Sequence, residues 1–154
     1  MMRRPVVPVA LGLAGLIPFV GAAAGTVWLP DFLQPVAHFA ALVYGLAIVA
    51  FLGGIHWGIA LEAGGAGRYV WSVVPPLVGF FAVFAPRPLA LWALCAAILI
   101  TGIVDVAMFS RTGPGWFARL RIVLTVLAAA SLAFAALNAG DLRVDPFGTI
   151  VRPG

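Results

Sequence analysis

Phe51-Leu52-Gly53-Gly54-Ile55-His56-Trp57-Gly58 lies inside a run from Phe32 to Leu61 that carries no formal charge. Those 30 residues exceed the roughly 20 apolar residues that carry a helix across a bilayer core. An octapeptide with a histidine at that depth is therefore read in a membrane, where lipid supplies the apolar surroundings and every polar group needs a protein partner.

Four further apolar runs flank it, so the chain is expected to be all-α, an integral membrane bundle of five transmembrane helices in a single domain. The expected spans are 6–29, 36–61, 69–85, 88–110 and 116–139, with 140–154 as a short C-terminal tail that reads as loop or frayed end. Outer-membrane strands alternate over about 10 residues, and these runs are longer and continuous. In the first helix Pro18 predicts a kink, and Gly21 and Gly25 offer a small-residue face. The uncharged stretch from Pro5 to Pro30 has 26 residues, against the roughly 7–15 of a secretory h-region, so it reads as a retained helix. Gly64-Gly65-Ala66-Gly67 turns the chain. Pro75 and Pro76 remove two backbone donors and are expected to bend the third helix.

The composition agrees, with 64% hydrophobic and 9% charged residues against about 25% charged in soluble domains. The net charge of +4 rests on nine arginines and no lysine. In a soluble protein that balance would suggest nucleic acid; here the arginines fall between apolar runs, so no nucleic-acid partner is expected. Arg3, Arg4, Arg68, Arg111, Arg119 and Arg121 lie on one side of a five-span topology, and Arg87, Arg143 and Arg152 on the other. Positive charge concentrates inside, which places the N-terminus in the cytoplasm and the C-terminus outside. The expected location is the inner membrane of a bacterium.

This topology brings polar residues to one depth. His56 stands six residues before Glu62, Asp105 five before Ser110, and Arg119 four after Gly115, each about 6–9 Å inside the same end of its helix at 1.5 Å per residue. Asp105 with Arg119 or Arg121 and His56 forms the candidate intramembrane cluster. An intramembrane carboxylate usually has a partner, so Asp105 reads as a structural ion pair, a proton or ligand site, or an interfacial acid. The arginines also have the reading of long stems that snorkel to the lipid surface. His56 reads as a helix-to-helix hydrogen bond, a proton or ligand group, or a metal ligand. No second ligand stands at a metal spacing from it, and His38 belongs to the opposite surface. No metal and no cofactor is expected.

Supporting positions are Tyr44, whose phenol needs a partner at mid-membrane, Gly54 and Gly58, which form a helix-packing spacing, and Trp57 and Trp116. With Trp28, Trp71 and Trp92 these tryptophans suit interfacial belts. Cys95 reads as a small buried hydrophobe. No catalytic motif is visible and no catalytic residue is assigned.

Tyr44-Gly45, the Phe51–Gly58 string, Trp116-Phe117-Ala118-Arg119-Leu120-Arg121 and the opening Leu11-Gly12-Leu13-Ala14-Gly15-Leu16-Ile17-Pro18-Phe19 together resemble a family of small multi-pass membrane proteins of unknown function, which includes the animal mitochondrial transmembrane protein sixty-nine. The resemblance implies an inner-membrane protein of about five spans without an assigned activity, and directs attention to His56, Trp57 and Arg119-Leu120-Arg121. The expectation from all of these features is a non-enzymatic accessory or assembly component, with the lipid bilayer and a membrane-protein partner or a second copy as its surroundings. The alternative is a small carrier or binding protein for protons, lipid or a hydrophobic cofactor centred on His56 and Asp105.

Overall fold

The structure, a computed structural model, describes residues 6–109, 114–139, 143–144 and 150–151. Among the described residues six helices follow one another: α1 (Val6–Ala14), α2 (Ile17–Trp28), α3 (Gln34–Ala63), α4 (Ala66–Ala82), α5 (Arg87–Phe109) and α6 (Gly115–Ala139). Long apolar segments take this form because a helix satisfies its own backbone where no water can. Four segments among the described residues are long and apolar enough to cross a membrane: Val6–Trp28, Gln34–Ala63, Arg87–Met108 and Gly115–Ala139. α4, with 17 residues, is about 25 Å long and falls short of them.

The expected first span is two helices. Pro18 sits in the first turn of α2, where its missing N–H costs nothing; in a continuous helix the ring would crowd the Ala14 carbonyl. The break falls at Gly15 and Leu16, and the Tyr44 hydroxyl donates to the Gly15 carbonyl at 2.8 Å. Tyr44 also meets Phe19 edge-on, with ring centres 4.8 Å apart. At the next turn Gln34 Nε2 donates to the Leu29 carbonyl and to Asp31 Oδ1. α3 ends on Gly64 and Gly65 at φ 70° and 103°, a region open to glycine.

α3 and α4 form a close antiparallel pair. α4 runs unbroken through Pro75 and Pro76, where the sequence predicts a bend. A Cβ built on Gly53 would overlap the Ser72 carbonyl oxygen and come within 2.7 Å of Pro76 Cγ, so the bare glycine lets the two backbones meet at the prolines. A Cβ on Gly54 or Gly58 would meet nothing within 4 Å, so their helix-packing spacing has no partner helix among the described residues. A Cβ built on Gly25 would come 2.9 Å from the Ala37 Cβ, whereas one on Gly21 would meet nothing within 4 Å.

α5 lies at the centre. Its Ala90, Leu91, Leu94 and Ile98 are buried with Val49 of α3 and Leu132 of α6. Cys95 is buried and its thiol donates to the Ala129 carbonyl at 3.4 Å. Trp28, Trp57 and Trp92 are exposed, as residues of a lipid-facing belt should be, while Trp71 and Trp116 are half-buried.

Beyond α6 the expected loop contains two short strands, β1 (Arg143–Val144) and β2 (Ile150–Val151), paired antiparallel with Arg143 opposite Val151 and Val144 opposite Ile150. Three of these four residues are β-branched, which suits a pleated backbone. Ser110 and Arg111, the N-terminal Arg3 and Arg4, and the tail residue Arg152 lie outside the described residues.

Candidate functional site

Helix register decides which polar groups meet. α3 and α5 run parallel, and Gly45 packs against Leu94, where an added Cβ would be 3.1 Å from Leu94 Cδ1. Eleven residues, close to three turns, lead from Gly45 to His56 and equally from Leu94 to Asp105, so these two also face each other. The hairpin of α5 and α6 is pinned where Gly102 receives Thr125. One turn on, Asp105 meets Arg121, which lies one turn before Thr125.

His56 Nε2 is 2.6 Å from Asp105 Oδ1. A carboxylate only accepts, so Nε2–H donates. Arg121 Nε approaches the other oxygen, Oδ2, within 2.5 Å, yet its N–H is not aimed along the contact and Nε counts among the buried nitrogens without a hydrogen bond. We describe the contact as an ion pair whose donors are incompletely used. His56 is 1% exposed and Asp105 5%, and the Arg121 side chain 11%. One carboxylate thus ties three helices together inside the bundle, and with Arg121 it forms a charge-compensated pair. His56 Nδ1, Arg121 Nη2 and Thr125 Oγ1 are buried with no hydrogen-bond partner.

Of the candidate residues, the structure joins His56, Asp105 and Arg121 and leaves Arg119 out. Arg119 is exposed, because two residues on a helix turn a side chain about 200° from Arg121. Trp57 points outward beside His56 and meets Tyr69 of α4 edge-on, with centres 5.2 Å apart. Trp116 contacts Phe117 and lines the cavity next to Asp105. Tyr44 belongs to the α1–α2 break rather than to the cluster. His38 is buried elsewhere on α3, with Nδ1 2.9 Å from the Gln34 carbonyl.

The cluster borders empty space. A partly open cavity of about 360 Å³ lies between α1, α3 and α6, with Leu11, Ile55, Asp105, Trp116, Leu120 and Arg121 among its walls. A second, of about 190 Å³, shares Leu11, Phe51, Leu52, Arg121 and Leu124 with it and continues toward Phe19, Ile98 and Thr125. α1 forms one wall and buries none of its own residues; Leu11 and Phe51 at the rim are exposed. Chemically the arrangement offers the Asp105–Arg121 pair and the Trp116 indole at the side of an otherwise apolar space. His56 and Asp105 are metal-ligand types, but among the described residues no third His, Cys, Asp or Glu joins them.

Sequence reasoning passed over Gly53, Thr125 and the α1 wall. Gly53 had a signal in Pro75-Pro76, since prolines inside a helix call for close, small neighbours. For Thr125 the signal was its spacing of four from Arg121, which puts both on one face.

No solved structure matches the chain. It is 37% identical over 136 residues to Transmembrane protein 69 of Xenopus tropicalis, covering 83% of this chain and 53% of the relative. To Transmembrane protein 69 of Mus musculus it is 30% identical over 135 residues, covering 83% and 54%. The chain therefore spans about half the length of these curated relatives. A family model described as "Protein of unknown function (DUF3429)" matches residues 4–137, a range that holds His56, Asp105 and Arg121 together with all six helices except the last two residues of α6. The chain belongs to the DUF3429 family of membrane proteins, whose model covers nearly all of its helical bundle.

Proposed function

We propose that the chain is a non-enzymatic binding protein of a bacterial inner membrane, holding a hydrophobic ligand such as a lipid or a membrane-dissolved cofactor beside His56, Asp105 and Arg121. The observation that carries this reading is the adjacency of an incompletely used, partly buried guanidinium to a mostly apolar cavity of about 360 Å³, within the roughly 300–1,000 Å³ of ligand pockets. A purely structural ion pair needs no such space. The test is native mass spectrometry of gently extracted protein, comparing the chain with Leu124→Trp, which fills the shared wall of the two cavities. A retained small molecule that is lost in the variant supports the reading; identical spectra without any small molecule overturn it.

The bundle in this reading crosses the membrane five times. α3 and α5 run parallel, so the chain must return between them, and α4 is the only segment there; its length matches a thin or locally thinned core. Arginine placement then sets the N-terminus inside and the C-terminus outside.

A second reading, as an accessory component packed against another membrane protein or a second copy, is favoured by one observation. Gly54 and Gly58 lie exposed on α3 with nothing within 4 Å, and small residues let helices approach closely in lipid. A protein partner in the same mass spectra, lost in Gly54→Leu, would support it.

A further inference from the structure

We infer that the cavity beside Arg121 takes an amphiphile that presents an uncharged carbonyl oxygen to Arg121, with its apolar body lying along Leu11, Leu120 and Leu124. This inference rests on the binding reading above and names the chemistry of the ligand.

The donors come first. Arg121 has five N–H groups and no acceptor capacity, and Asp105 engages it only through Nε. Nη2 is buried without a partner, as is Thr125 Oγ1 one turn farther along α6. Both residues line the 190 Å³ cavity, and Arg121 lines the 360 Å³ cavity as well. Nη2 and Oγ1 themselves lie behind the cavity wall, and it is the exposed 11% of the Arg121 side chain that an occupant meets; a guanidinium only donates, so a polar group placed against it must be an acceptor.

Charge then selects among acceptors. Asp105 and Arg121 already cancel. A carboxylate or phosphate head would add a negative charge beside the Asp105 carboxylate in a medium that screens it poorly, whereas a carbonyl oxygen accepts from Arg121 and adds none. Of the other walls, Pro8, Phe51, Ile55, Phe117 and Leu120 are apolar, and Trp116 adds a single indole N–H, a second donor for the same acceptor. Such a site suits a molecule that is apolar apart from its acceptor.

Depth agrees. Arg121 lies six residues inside α6 from Gly115, about 9 Å at 1.5 Å per residue, while the polar layer on each side of the hydrocarbon core is about 5–7 Å thick. That puts the guanidinium near the boundary between headgroups and hydrocarbon, with the rim at Leu11 and Phe51 open to the side. Two sources present a carbonyl there: an ester-linked diacyl lipid, and a prenylated or alkylated ring cofactor.

The experiment uses the full chain in detergent micelles and four probes: a diester phosphatidylcholine, its diether analogue without carbonyls, a benzoquinone with a ten-carbon tail, and oleate. Affinity is read by competition with a lipid bearing brominated chains, through quenching of tryptophan fluorescence. The diester lipid or the quinone should bind at least tenfold tighter than the diether lipid and oleate; which of them leads identifies the source. Arg121→Lys keeps the charge beside Asp105 but loses the fork of donors, and it should reduce that preference at least fivefold. Equal binding of diester and diether lipids with no response to the quinone, a preference for oleate, or a preference unchanged in Arg121→Lys would overturn the inference. Should Arg121→Lys not fold, Thr125→Val takes its place and must narrow the same preference at least twofold. Leu124→Trp separates the two readings: if it abolishes binding of every probe without any carbonyl preference having been seen, the cavity binds but this chemistry is wrong. If no probe binds the unaltered chain, both readings fall.

Discussion

Gly53 lies against the carbonyl oxygen of Ser72, the oxygen that would receive the fourth-following N–H in a regular helix if that residue were not Pro76. The proline removes a donor and the glycine removes a side chain, at the same point of contact between α3 and α4. An unmet carbonyl in hydrocarbon is costly, and a glycine Cα–H brought against it is a weak but recurrent helix-interface contact. A small residue and a proline on neighbouring helices thereby act as one joint.

Gly53→Ala should consequently destabilise the bundle by about 1–3 kcal/mol, the usual cost of overpacking a rigid contact, because a Cβ would meet backbone rather than a flexible side chain. Gly54→Ala, one position away, meets open space and should change stability by no more than about 0.5 kcal/mol, or raise it through helix propensity. Thermal or denaturant unfolding in detergent measures both. Equal effects at the two positions would disprove the joint.

Tyr44→Phe removes the hydroxyl that satisfies Gly15 at the break between α1 and α2 while keeping the ring against Phe19. The expected loss is about 1–2 kcal/mol, since a partly buried carbonyl is left without its donor. Faster hydrogen exchange should follow at the break, with α3 itself unaffected. Exchange that rises uniformly along the chain would show that Tyr44 acts through packing alone.

The membrane character, the helices and much of the polar cluster were legible in sequence for physical reasons. Uncharged runs report the solvent, and residues spaced from helix ends report depth, so His56, Asp105 and Arg121 could be set at one level before any coordinates. Azimuth was harder to read. Arg119 and Arg121 share a depth and differ only in direction, and that direction is fixed by the Gly102–Thr125 contact between α5 and α6. The same limit explains Gly54 and Gly58: their spacing marks a face, but whether the face meets α4 or lipid depends on a rotation that Gly53 settles. Pro18 shows a different limit, because proline announces a disturbance of the helix without saying whether it bends or restarts.

Orientation offers a test that does not depend on the site. If α4 crosses the membrane between the parallel α3 and α5, reporters fused after Gly65 and after Gly154 should lie on opposite sides, with Gly65 in the cytoplasm, as six arginines against three demand. Both reporters on one side would mean that α4 does not cross, while opposite sides with Gly65 outside would mean that the first span does not.

The Asp105–Arg121 pair permits the sharpest energetic test. Asp105 is 5% exposed and answers to two helices at once, so Asp105→Ala strands a guanidinium and Arg121→Met strands a carboxylate. Each single change should cost about 3–5 kcal/mol, while the double change, which leaves no unpaired charge, should cost far less than their sum and approach neutrality. Arg119→Met, taken through the same cycle with Asp105, should show no coupling beyond about 0.5 kcal/mol, because its side chain leaves the helix in another direction. Unfolding free energies in detergent supply all the values. Additive losses for Asp105 and Arg121 would mean that the two are neighbours without being partners, and the account of one carboxylate holding three helices would then have to rest on His56 alone.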